Sequence, residues 1–182
     1  MTYTVEVIRS DRRSMSMEVR ADGRVLVRAP RRTSAGRVRA FVEANRAWIE
    51  KRLEALAQRP PVEKLTDEEI AALKKRAKPV FADKAAFYAS KLGVRYGRVA
   101  VRCQKSKWGS CSVKGNLNFN CLLLLAPETV LDYVVVHELC HRIEMNHSPR
   151  FWARVASVLP DYEARRRWLK THGGELMAKV YD

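Results

Sequence analysis

The sequence predicts an α+β fold, with an N-terminal β-hairpin and long helix followed by a small mixed sheet over one buried helix. Three observations predict it. Apolar and polar residues alternate through the first thirty positions and again between Arg98 and Leu125. Apolar residues recur at helical spacing after Ser34 and across most of the rest of the chain. One of those helices, opening at Pro127, carries Val130, Leu131, Val134, Val135, Leu139 and Ile143 and is apolar on most sides, as a buried helix is.

Thr2 to Ile8 alternates and reads as a first strand. Ser14 to Arg20 and Arg24 to Ala29 also alternate, with Asp22-Gly23 between them. Asp-Gly between alternating runs signals a hairpin, because both turn residues tolerate positive φ. Pro30 ends the second hairpin strand. Ser34 caps a long helix whose apolar face is Val38, Phe41, Val42, Trp48, Ile49, Leu53 and Leu56. Its Arg37, Arg39, Arg46, Lys51 and Arg52 read as a solvated surface. Arg59-Pro60-Pro61 breaks the chain and marks a linker. It divides residues 1–59, the hairpin-and-helix lobe, from residues 60–182, the core; one continuous domain is the alternative.

Thr66 and Glu69 form a capping box for a helix running to Leu92, with a kink expected near Pro79 and a stop at Gly93. Val99 to Cys103 reads as a strand. Lys114-Gly115 marks a turn, and Leu117, Phe119 and Cys121 alternate with Asn116, Asn118 and Asn120. Pro127 opens the apolar helix, which is expected to end at Asn146. Further helices begin at Ser148-Pro149 and at Tyr162, the latter running to Thr171 and closed by Gly173-Gly174.

The chain has 182 residues and a formal net charge of +15, from 35 Lys and Arg against 20 Asp and Glu. Such an excess favours acidic partners and leaves nucleic acid open as a partner through the basic surface. Cys103, Cys111, Cys121 and Cys140 form no C-x-x-C pair, which argues against a zinc ribbon or a thioredoxin-type site. MTYTVEVIRSDRRS has no apolar signal core, and the longest apolar run, Cys121 to Pro127, is too short to span a bilayer. The expectation is a soluble cytoplasmic protein with reduced thiols and no membrane contact. Oligomeric state is not readable from the sequence.

His137-Glu138-Leu139-Cys140-His141 is an H-E-x-x-H motif on the apolar helix. Residues four apart share a helix face, so two imidazoles can grip one tetrahedral zinc ion. Glu138, beside the first ligand, is placed to accept a proton from a water that zinc acidifies. Burying two histidines and a glutamate without a partner is costly, and a metal removes most of that cost. Cys140 points off the ligand face and reads as a small core hydrophobe.

His147, six residues after His141, is the first choice as third ligand, brought back over the metal by a turn at Asn146. Glu163 on the last helix and His172 are the alternatives. Three protein ligands leave a fourth position for water, the arrangement of a catalytic site. The resulting expectation is a zinc-dependent hydrolase of peptide or protein, with Glu138 as general base. A non-peptide substrate and a DNA-associated protein with a protease-like zinc site are the competing readings. An oxyanion stabiliser is expected among Asn120, Tyr162, His172 and nearby arginines, without a choice between them.

The stretch from Lys105 to Trp152 closely resembles YgjP-like metallopeptidases, relatives of the SprT-like HExxH proteins. The matching marks are Trp108-Gly109-Ser110-Cys111, Asn120, Pro127, Asp132-Tyr133-Val134-Val135-Val136, the H-E-L-C-H core, and Asn146-His147-Ser148-Pro149 with Phe151-Trp152. The resemblance implies a zincin-like α+β core and His147 as third ligand, and it names no substrate. In such a core an edge strand, here within Arg102 to Ser112 or Leu117 to Leu122, pairs with an extended peptide above the metal. Trp108 and Cys111 themselves read as core packing beneath that strand.

Overall fold

A computed structural model describes residues 3–20, 22–58 and 62–181. The expected linker Arg59-Pro60-Pro61 lies outside the described residues. The chain forms two compact units, one within residues 1–61 and one spanning residues 62–181.

In the first unit, β1 (Val5–Ser10), β2 (Ser16–Val19) and β3 (Val25–Pro30) make a three-stranded sheet of order β1-β3-β2. The expected hairpin is present, with β2 antiparallel to β3 from Ser16↔Arg28 to Val19↔Val25. Its turn uses positive φ only at Gly23 (+80°); Asp22 instead accepts the Arg24 N–H at 3.0 Å. The first strand falls at Val5–Ser10, shifted from Thr2 to Ile8, and it pairs parallel to β3. A central strand has neighbours on both edges, and Val25, Leu26 and Val27 are accordingly fully buried.

The single long helix expected after Ser34 is two: α1 (Ala35–Ala44) and α2 (Arg46–Ala57). Asn45 breaks it. Its backbone sits at φ −108°, ψ 13°, and its side-chain amide donates to Phe41 O at 2.8 Å, offering the chain an alternative to helical bonding. The break also turns Trp48 outward, where it is 43% exposed beside Arg52, while Val38 and Ile49 join Val25, Val27 and Ala29 in the core.

The second unit opens with α3 (Asp67–Leu92), started by the complete Thr66–Glu69 capping box and stopped at Gly93. A cap of this kind is worth about 1 kcal/mol. Pro79 costs an interior helix about 3 kcal/mol relative to Ala. The helix nevertheless runs through it, held by the buried row Leu73, Ala77, Phe81, Ala85, Tyr88 and Ala89. Phe81 stacks on Phe119 with centroids 4.5 Å apart.

The strands β4 (Val99–Arg102), β5 (Gly109–Cys111) and β6 (Leu117–Asn120) form a mixed sheet of order β4-β6-β5, with β4 parallel and β5 antiparallel to β6. The strand pattern expected to continue to Leu125 stops at Asn120. Cys121–Leu125 is a 3-10 turn, opened by the Asn120 side chain accepting the Leu122 N–H at 3.2 Å. Then come α4 (Glu128–Cys140), α5 (Pro149–Val158) and α6 (Tyr162–Ala178).

Helix α4 is buried along most of its length and lies against β5, β6, α3, α5 and α6, under the small mixed sheet. Lys84 ties it to α3 through Glu128 and Asp132, each at 2.6 Å. Two further expectations change here. Helix α6 does not close at Gly173-Gly174 but continues to Ala178. Gly173 is needed for packing, since a Cβ there would come within 2.9 Å of Trp108 Cζ2. Helix α4 ends at His141, not Asn146, and residues 141–146 form tight turns with no left-handed non-glycine residue. Trp108, Cys111 and Cys140 all pack in or against the core. Among the described residues no helix is long and apolar enough to cross a membrane.

Candidate metal centre

Helix α4 presents His137 and His141 one turn apart, and the turns after it return the chain so that His147 faces them. Arg142, Ile143 and Glu144 donate back to Leu139 O and Cys140 O at 2.9 to 3.0 Å, which folds the segment sharply upon itself. Ser148 then caps α5 by accepting the Phe151 N–H at 3.3 Å, which fixes the exit of the loop. One potential ligand atom from each of His137, His141 and His147 lies within 4.8 Å of the others.

The ring geometry suits a shared cation. His137 Nε2 and His147 Nε2 are 3.0 Å apart. Two nitrogens on one tetrahedral zinc, each bonded at 2.0–2.1 Å, are about 3.3 Å apart. His141 Nδ1 lies 3.2 Å from Glu144 O, which orients that ring and leaves Nε2 for the centre. His137 Nδ1 is buried with no partner among the described residues. Burial, then the neighbouring His141 and His147 and the charge of Arg166, push His137 down to about 3. Burial likewise holds His141 below the ordinary imidazole value. Both rings are therefore neutral near pH 7, the form that ligates a metal.

Glu138 is 6% exposed and forms no ion pair among the described residues, and burial pushes its carboxyl up to about 8 against the opposing charge of Lys107. Its position is set by β5. A Cβ on Gly109 would fall 2.5 Å from Glu138 Oε1 and 2.7 Å from Cγ, so only glycine lets the strand pass this close. Spacing on α4 identifies Glu138; the strand that lies on it comes from nearly thirty residues earlier in the chain, and sequence reading gave Gly109 no such role.

Phe151 is a second contributor that the sequence reading left as ordinary helix packing. It is fully buried, and its ring centroid lies 4.8, 4.7 and 4.8 Å from those of His137, His141 and His147. It forms an apolar floor common to all three. Trp152 stacks on His147 at 5.7 Å and on Tyr162 at 5.4 Å, and the Arg166 guanidinium lies 4.6 Å from its ring centroid. The aromatic spacing on α5 was visible in the sequence, but its contact with the imidazoles depends on how α5 crosses α4.

The remaining candidates lie elsewhere. Glu163 is exposed and meets the Tyr162 hydroxyl at 3.4 Å, outside the histidine group. His172 stacks on Trp168 at 4.6 Å with Nδ1 3.0 Å from Trp168 O, also outside it. Asn120 is not free to meet an oxyanion. It is fully buried, and its amide donates to Gln104 O at 2.7 Å and Lys107 O at 3.1 Å, fastening the loop that leads into β5.

The family model described as "YgjP-like, metallopeptidase domain" matches residues 13–73 and 62–172. No curated protein matches the chain. Among solved structures, the chain is similar to the metallopeptidase zymogen abylysin of Pyrococcus abyssi, with 24% identity over 50% of this chain and 93% of that one, TM-score 0.46. It is also similar to the zymogen jannalysin of Methanocaldococcus jannaschii, with 22% identity over 52% and 95%, TM-score 0.45. With the family model spanning most of its length, the chain belongs to the YgjP-like metallopeptidases.

Proposed function

We propose that this chain is a zinc-dependent peptidase in which His137, His141 and His147 hold the metal and Glu138 is the general base. The observation that carries the reading is the convergence of three imidazole nitrogens within 4.8 Å of one another, beside the buried carboxyl of Glu138. Three imidazoles with a fourth position open suit zinc, which when bound supplies Lewis acidity and a water acidic enough to ionise near neutral pH. Glu138 takes a proton from the attacking water and delivers it to the leaving amine. Gly109 holds β5 against Glu138, which fixes the carboxylate and shields it from solvent. The outer edge of β5 is the place where an extended peptide pairs beside the carboxylate. The chemistry is assigned to the segment from residue 60 to 182, with residues 1–59 as a separate lobe.

The test is cleavage of a denatured protein mixture by wild type and by Glu138→Gln, with peptide termini read by mass spectrometry. New termini with wild type alone support the mechanism. Equal cleavage by the variant removes Glu138 from it.

A further inference from the structure

Away from the histidines, on the opposite edge of the second sheet, a groove of about 520 Å³ runs between α3 and β4. Lys74, Lys75 and Lys78 line one side, and Arg98 and Arg102 flank the strand on the other. All five are exposed, none forms an ion pair among the described residues, and no carboxylate lines the groove. Val99 and Val101 supply a half-buried apolar wall.

The strand itself has unmet capacity. Leu117 donates to Arg98 O, so in this parallel ladder Arg98, Ala100 and Arg102 direct their backbone groups towards β6. The N–H and C=O groups of Val99 and Val101 therefore point out of the sheet. Among the described residues no hydrogen bond is made to them.

We infer that this groove is a docking site for an extended, acidic polypeptide segment that adds a strand to the outer edge of β4. Each feature meets a different part of such a segment. The outward N–H and C=O groups pair with its main chain, the valine wall takes alternate apolar side chains, and the cations on both rims take its carboxylates. A nucleic acid would engage the cations and leave the strand edge unused, and no aromatic side chain lines the groove to stack on a base. The site lies on the far side of β6 from β5, so it anchors a protein remote from the bond being cut. It rests on the peptidase reading in that the docked segment belongs to a protein substrate.

The probe is a short fluorescein-labelled peptide of alternating glutamate and valine. It is titrated by fluorescence anisotropy into the full chain carrying E138Q, so that cleavage does not consume it. The substitutions K74E, K78E and R102E together weaken binding by about tenfold or more. A peptide of equal charge with alternate backbone amides N-methylated loses a similar factor, because it cannot extend the ladder. A lysine-valine peptide binds the charge-reversed protein better than the unreversed one. Circular dichroism checks that the reversed protein folds, which its exposed positions permit. Unchanged affinity in the charge-reversed protein overturns the proposal, as does unchanged affinity for the N-methylated peptide. Displacement of the peptide by duplex DNA at equal charge concentration, with the same sensitivity to charge reversal, reassigns the groove to phosphate and also overturns it. These outcomes are read from binding alone. A wild-type protein that cleaves nothing while the peptide still binds counts against the peptidase reading and not against the groove.

Discussion

Residues 5–30 and residues 99–120 each form a three-stranded sheet whose third strand lies in the middle, parallel to the first and antiparallel to the second. In each, a glycine at φ +80° carries the chain from the second strand into the third. The two differ in what packs on them. The first sheet is backed by apolar Val38 and Ile49, and its turn glycine faces only Leu53, 3.8 Å from where a Cβ would stand. The second lies on α4. Its short strand β5 touches Glu138, and a Cβ on its turn glycine, Gly115, would meet Arg142 Nε at 2.9 Å. Arg142 follows His141 directly and donates to Arg95 O and Val113 O at 3.1 Å, so the turn is built into the frame of the candidate metal centre. The same backbone plan serves as a simple packing layer in one place and as a positioning device in the other. The change is made by the helix beneath.

Glu138→Gln gives the largest expected effect. Removing the proposed general base lowers turnover by roughly 10² to 10⁴-fold, while zinc content measured by mass spectrometry is unchanged. Loss of zinc in that variant would make Glu138 part of the frame and blur the contrast between the sheets. Gly109→Ala comes next. Its Cβ displaces the Glu138 carboxylate, and a shift of that kind costs about 10²-fold in rate, again with zinc retained. A fully active Gly109→Ala protein would break the claim that β5 positions Glu138.

How far the sequence disclosed these features depends on their range. The H-E-x-x-H spacing, the Thr66–Glu69 box, and the Asp22-Gly23 and Lys114-Gly115 turns are local, and each stands where the residues indicate. Asn45 was less visible, because an asparagine inside a periodic apolar pattern breaks a helix only when its amide finds a carbonyl, here Phe41 O. Gly173 misled for the opposite reason. A glycine pair reads as a helix stop, yet Trp108, sixty-five residues earlier, takes the space that a side chain would need. The parallel pairings β1–β3 and β4–β6, the Phe151 floor and the Gly109–Glu138 contact all join distant segments. No local pattern encodes such contacts.

Phe151→Leu probes the floor that the first sheet lacks. The swap keeps the site apolar but withdraws ring contact from all three imidazoles, and it weakens zinc affinity by about tenfold in competition with a chromophoric chelator. Affinity equal to wild type would show the floor to be dispensable. The smallest effects separate the two turns. Gly23→Ala and Gly115→Ala each cost about 1–2 kcal/mol of stability for an L-residue in the left-handed region, seen as a lower Tm. Only Gly115→Ala is expected to weaken zinc binding as well, through Arg142. Equal zinc affinity in both variants would return the second turn to the plain role of the first.

X-ray absorption at the zinc edge of the metal-loaded protein tests the central claim most directly. Three imidazoles sharing one ion predict a first shell of nitrogen and oxygen at about 2.0–2.1 Å, with multiple scattering from three rings and no sulfur. A shell with a sulfur neighbour, or with scattering from two rings or fewer, would contradict it.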